Sequence, residues 1–267
     1  MLSAVVIQLI ALDSGFIRAA TGTFVHGFWL HHWHAVAPEI GDALHGDQAL
    51  QPFTVSPLMG LALPHRGQIS VTEGTKAWIR VTTLGEPLTT ALHEAWLPAL
   101  PAVITLGRRQ WQVTGWTADA DPWAGRCDPY ALAEAHLLGR HPSDGWRLRF
   151  TTPTTFHGEA GHLPFPMPRA LVGSWLRRWE AFGPIRLPGD ALLEAVQTGL
   201  AISAYRLKTV PMRDRERLTI GCVGELRLRA TGLGLPTRAA LDLLAAFAFW
   251  SGSGYHTTQG FGMTRPM

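Results

Sequence analysis

The chain has 267 residues, 46% of them hydrophobic and 16% charged, which is long enough for a substantial core and too apolar for a disordered polymer. Its formal net charge is +3, and its 2 cysteines, Cys127 and Cys222, exclude a disulfide framework and fit a reducing cytoplasm. No apolar run reaches the roughly 18 residues of a membrane span, and the opening MLSAVVIQLIALDSGF lacks the basic segment and cleavage site of a secretory signal.

The elements read as follows from the first residue. Ser3 to Ala11 is a β-rich apolar run. After Thr23, the stretch FVHGFWLHHWHAV places Phe24, Phe28, Leu30 and Trp33 at helical spacing. Pro38 breaks that helix, and Glu39 to His45 forms a second short helical piece ending near Gly46. Phe53 to Leu63 is a strand interrupted at Pro57, and Gln68 to Val71 with Lys76 to Thr83 reads as a returning strand pair. Glu86 to Leu97 is a helix opened by an acid and a proline, and Ala102 to Leu106 with Gln110 to Trp116 closes as a hairpin.

That order is β-α-β-β-α-β, and it starts again after a connection rich in Asp, Pro, Gly and Ala that holds a helix at Tyr130 to Leu138. Trp146 to Thr151 alternates as a strand, and Pro168 to Phe182 is a helix with Leu171, Trp175 and Trp179 on one face. Gly199 to Val210 and Leu218 to Ala230 are strands joined by the charged turn MRDRER, and Thr237, as cap, opens a helix to Trp250. A short strand through Phe261 and Met263 completes the second unit. The expected fold is α+β: two tandem ferredoxin-like (RRM-like) domains, over residues 1–118 and 145–267 with a linker at 119–144.

Charge is split between them. Residues 1–150 hold 10 Lys/Arg against 12 Asp/Glu, and residues 151–267 hold 13 against 8, nearly all arginine. Arginine makes bidentate contacts to phosphate that lysine does not. Near the C-terminal end, SGSGYHTTQGFG carries Gly252, Gly254, Gly260 and Gly262 with no carboxylate between them, a loop suited to close approach of a polyanion.

This GxGxxxxxGFG pattern resembles the glycine-rich loop of the RAMP superfamily, the RNA-binding proteins of CRISPR systems. The segment ALHGDQALQPFTVSPLMG (43–60) resembles the "LH, short spacer, PFTxSPL" block of CRISPR repeat-processing endoribonucleases. RVTTLGEPLTTALHEAW looks like the third strand and second helix of that family's N-terminal domain, and FTTPTTF (150–156) like the strand opening its C-terminal domain. The resemblance spans nearly the whole chain. It implies a metal-independent endoribonuclease that cuts precursor transcripts once within each CRISPR repeat, leaving a 2′,3′-cyclic phosphate and a 5′-hydroxyl. It also implies repeat RNA as substrate, product crRNA as a retained partner, and CRISPR effector subunits as recipients. Monomer and homodimer stay open. The alternative within the same superfamily is a catalytically silent subunit that binds repeat RNA.

Such chemistry needs groups that move protons near neutral pH, which histidine supplies. The resemblance places the catalytic histidine at His45 and a second catalytic residue roughly 14 or 15 positions earlier, near which His31 and His32 both fall. On one straight helix 14 residues span about 21 Å, so the break at Pro38 has to fold the two pieces together. The lysine that the family places shortly after its histidine is missing here, where Gln48 and Gln51 stand. The candidates for RNA grip are Arg177, Arg178, Arg206, Lys208, Arg213, Arg215 and Arg217, together with the glycine loop, Gln259 included, where Tyr255 and His256 are placed to stack on a base. His31 and His34 share the i, i+3 spacing of a metal pair, but no HExxH or CxxC accompanies them, so neither a metal nor a cofactor is expected.

Overall fold

A computed structural model describes the chain apart from residues 47–49, 140, 159–160 and 215–216. It divides into two compact units, one formed by residues 1–126 with 212–218 and 258–260, the other by 127–211, 219–257 and 261–267.

In the first unit, β1 (Leu2–Ala11) is central because it is apolar at every position but Ser3 and Gln8, and only Gln8 is exposed. A strand with both faces covered reads as a continuous hydrophobic run. After β2 (Gly15–Arg18) come α1 (Gly22–Val36), α2 (Pro38–His45) and β3 (Phe53–Val55). Next are β4 (Gln68–Val71), β5 (Lys76–Leu84) and α3 (Glu86–Ala91), which runs on into one π-helical turn, Leu92–Trp96. The strands β6 (Val103–Leu106), β7 (Arg109–Thr117) and β8 (Gly125–Cys127) follow, the last pairing with β1. The main sheet runs β3-β5-β1-β7-β6. Its register sets Val5 against Val81 and Ile7 against both Ile79 and Trp116. β4 pairs with β2, Ile17 opposite Ile69, and not with β5 as the sequence suggests. Thr72 to Thr75 turns the chain between β4 and β5, but β5 is drawn to the more apolar β1.

The helices of this unit cover the sheet through a tryptophan cluster. Trp29, Trp33, Trp96 and Trp111 are fully buried, with the Trp29 and Trp96 rings 4.9 Å apart. Each such ring buries roughly 150–250 Å² and dominates the local packing energy.

The second unit begins with α4 (Pro129–Leu137), whose cap Asp128 accepts from the Tyr130 amide. It continues with β9 (Gly145–Thr154), the hairpin β10 (Phe156–Gly158) and β11 (Gly161–Leu163), and α5 (Pro168–Phe182). Then come α6 (Gly189–Gly199), β12 (Leu200–Asp214), β13 (Arg217–Ala230), α7 (Leu235–Ser251) and β14 (Thr264–Pro266). The sheet order is β12-β13-β9-β14. Taking the four strands of each β-α-β-β-α-β repeat in turn, both units give the spatial order 4-1-3-2, so the chain is two tandem ferredoxin-like domains. The helix α7 starts two residues before Thr237. Gly234 precedes it and Pro236 occupies its first turn, where a missing N–H costs nothing. α5 and α7 pack through Trp179 and Phe247, edge to face at 5.1 Å.

Candidate active site

The turn between α1 and α2 builds the first cluster of chemistry-bearing side chains. A residue before proline is driven out of the helical region, and Ala37 sits at φ −146, ψ 85. α2 therefore folds back on α1. A glycine permits the closeness: a Cβ at Gly41 would lie 2.9 Å from the His34 Cα and 2.6 Å from its ring. As a result His34 Nε2 lies 2.9 Å from His45 Nδ1, with ring centroids 4.8 Å apart. One nitrogen of this pair donates and the other accepts, so the tautomer of one ring sets that of the other. His34 Nδ1 is also 3.5 Å from Asp42 Oδ1, an exposed contact that orients the ring more than it stabilises the fold.

His26, two turns earlier on α1, faces the same place. Its ring stacks on Phe53 at 6.0 Å. Burial holds its pKa below 6.5; a hydrogen bond with the Thr258 backbone opposes that shift, and the charge of His45 adds to it. At neutral pH it is therefore a neutral imidazole beside the exposed His45. A neutral imidazole beside a hydrogen-bonded imidazole pair with one exposed member is a set of groups that general acid–base chemistry can use.

The two residues expected to partner His45 lie elsewhere on α1. His31 is exposed. His32 is buried, its Nε2 is 3.1 Å from the Trp96 carbonyl, its ring lies flat against Phe28, and burial lowers its pKa. Sequence spacing overlooked His26 and His34. The available signal was Pro38 followed by Gly41, a break and a gap that allow close helix pairing.

The glycine-rich loop is held from beneath. Gly254 has φ +77, and a Cβ there would meet the Thr155 carbonyl at 2.2 Å, so only glycine fits. The Tyr255 amide donates to that carbonyl at 2.8 Å. Arg178 is buried and donates to the Gly254 carbonyl at 3.2 Å and to Thr257 Oγ1 at 2.8 Å. Burial, with Arg177 adjacent, lowers its pKa to about 10. It thus acts as a clamp on the loop, while Arg177 is exposed. Gly252, Gly260 and Gly262 are buried and Gln259 is half-buried. Tyr255 and His256 point outward with rings 3.9 Å apart, and His157 of β10 packs on Tyr255 at 4.1 Å. His256 is held at φ 59, an uncommon conformation for a side-chain-bearing residue. Arg206 and Lys208 are exposed on β12. Arg215 and Gln48 lie outside the described residues, as do the side chains of Arg213 and Arg217.

Comparison with known proteins agrees with both halves of this architecture. The model of the CRISPR Cas6 N-terminal domain matches residues 1–134, and that of CRISPR-associated endoribonuclease Cas6 matches residues 148–264. The chain belongs to the Cas6 family. The product complex of Thermus thermophilus Cas6 (TTHB231) is 28% identical with a TM-score of 0.81, covering 100% of both chains. That of a second Cas6 (TTHA0078) is 31% identical with a TM-score of 0.79, covering 100% of this chain and 99% of the other. A Cas6-related protein from Pyrococcus furiosus, at 13% identity and TM-score 0.66 over 100% of this chain and 99% of its own, shares the fold. No curated protein matches the chain in sequence. Among the described residues, no helix is long and apolar enough to cross a membrane.

Proposed function

We propose that this Cas6 protein cleaves CRISPR precursor transcripts within the repeat to release crRNA, without a metal. In this reading the ribose 2′-hydroxyl attacks the adjacent phosphate, and the 5′-oxygen of the next nucleotide leaves. The products carry a 2′,3′-cyclic phosphate and a 5′-hydroxyl. His26, neutral at pH 7, takes the 2′-hydroxyl proton. His45, exposed and bonded to His34, gives a proton to the leaving oxygen, and His34 with Asp42 positions it.

The observation that carries this reading is the 2.9 Å contact between His34 and His45 beside His26. Solved Cas6 relatives captured with product and with a substrate mimic support repeat RNA as the ligand. Arg177, Arg206, Lys208 and Tyr255 are exposed for RNA contact, with the half-buried His256 beside Tyr255.

The test is cleavage of the cognate repeat in EDTA, by wild type and His45→Ala, alongside a copy with a 2′-deoxy nucleotide at the cut site. Wild type should cut in EDTA and spare the deoxy copy, and His45→Ala should be slowed about 10²–10⁴-fold. Tight binding with no cutting by wild type would instead make the chain an RNA-holding subunit. His31→Ala should cut normally.

A further inference from the structure

The C-terminal sheet displays a ladder of arginines with no role in the chemistry above. On β9, Trp146, Leu148 and Phe150 point into the core while Arg147 and Arg149 point outward. On β13, Leu226 and Leu228 point inward while Arg227 and Arg229 point outward. The register sets Arg227 opposite Arg147 and Glu225 opposite Arg149, and β14 brings Arg265 opposite Arg149 on its other side. Directly paired residues of an antiparallel sheet share a face, so these side chains form one outward surface.

Two carboxylates accompany the ladder. Glu225 accepts from Arg149 at 2.6 Å and from Arg147 at 3.3 Å, and Asp144 accepts from Arg229 at 3.0 Å. They do not cover the guanidiniums: the side chains of Arg147, Arg149 and Arg229 stay 43%, 50% and 61% exposed. Among the described residues, Arg147, Arg149, Arg227 and Arg229 against Glu225 and Asp144 leave the face positive. A shallow cleft on it is bounded by Arg147, Arg206, Arg227 and Tyr205. The Tyr205 ring is 64% exposed, with Phe165 packed edge-on at 5.6 Å behind it.

β9 and β13 are the two central strands, which in RRM domains carry the aromatics that stack bases. Arginine there grips the phosphate backbone instead, independently of sequence. Outward positions recur about every 6.7 Å along a strand, a spacing suited to successive phosphates of an extended chain. A duplex keeps its bases stacked inside, so an exposed tyrosine at the cleft serves an unpaired strand.

We propose that this face is a second RNA site, which takes the single-stranded RNA continuous with the repeat. Arg147, Arg149, Arg227 and Arg229 hold its phosphates and Tyr205 stacks a base. The inference rests on the repeat-processing reading. Product would then stay bound through a surface that takes no part in cutting.

The experiment uses the full chain and an uncleavable 2′-deoxy repeat RNA, with and without a single-stranded extension, titrated by fluorescence anisotropy across a salt series. For wild type the extension should raise affinity about tenfold and steepen the salt dependence. Arg147→Ala/Arg227→Ala should lose that increment, its salt slope falling by about 1.4, while binding of the bare repeat and cleavage of a normal repeat stay unchanged. Glu225→Gln should move the other way, releasing two guanidiniums and strengthening binding of the extended RNA alone. An extension that adds nothing to wild type, or a double variant that weakens both RNAs equally, would overturn the proposal and point to an acidic protein partner for the face. Failure of wild type to bind even the bare repeat would remove the repeat-processing reading itself.

Discussion

β1 and β9 hold the same place in two domains of one topology, yet they differ in kind. β1 is buried almost end to end, with only Gln8 exposed, and it is paired by β5, β7 and β8. Even Arg80 of the neighbouring strand is buried there, donating to the Trp123 carbonyl at 2.7 Å, and burial lowers its pKa to about 9. β9 alternates, with one face in the core and the other open. The first domain therefore buries its central strand and places His26, His34 and His45 on helices. The second leaves its sheet bare and fastens a loop. One scaffold serves two purposes according to which surface is left uncovered.

The largest expected effect separates the domains by chemistry. His45→Ala should cut the cleavage rate about 10²–10⁴-fold, whereas Tyr255→Ala in the second domain should mainly weaken RNA binding. Equal losses of rate would break the contrast. Next is stability in the buried central strand, where Ile7→Ala should cost about 2–5 kcal/mol in chemical denaturation through the cavity it leaves. Arg178→Ala should cost about 2–4 kcal/mol in the same assay, because the Gly254 carbonyl and Thr257 hydroxyl lose a buried donor. Arg178→Lys, keeping charge but not the fork, should recover only part of it.

The pH profile sharpens the point within the first domain. Folding holds the His26 pKa below 6.5, so its neutral form survives to lower pH. The acid limb of the cleavage rate should have its midpoint below 6.5, and Phe53→Ala, by exposing the ring, should move that midpoint upward. The smallest effect belongs to the open face. Arg149→Ala should change stability by no more than about 1 kcal/mol, as exposed ion pairs do.

Much of this was legible from residue pattern. SAVVIQLIA and WRLRF announce a doubly buried and a half-open strand by their periods alone, and α5 spans the expected Pro168–Phe182. The Pro38 break was readable, but its consequence was not. Counting 14 residues back from His45 ends on His31, with His32 next to it, while the return of α2 along α1 brings up His34, 11 residues back. Spacing along a chain says little about distance across a turn whose angle depends on packing at Gly41. The helix α6 went unread because GDALLEAVQTG follows a run of Gly and Pro that resembles loop. Nor did sequence charge distinguish Arg178, a clamp inside the fold, from its exposed neighbour Arg177.

The first domain is discontinuous in sequence, closing only with residues 258–260, and His26 takes its backbone bond from Thr258. During synthesis α1 is made long before the segment 258–260 that closes its domain. The first domain is thus completed only after most of the second has been made. A nascent chain carries His26 long before it carries the backbone contact that His26 makes with Thr258, so the two domains do not form strictly one after the other.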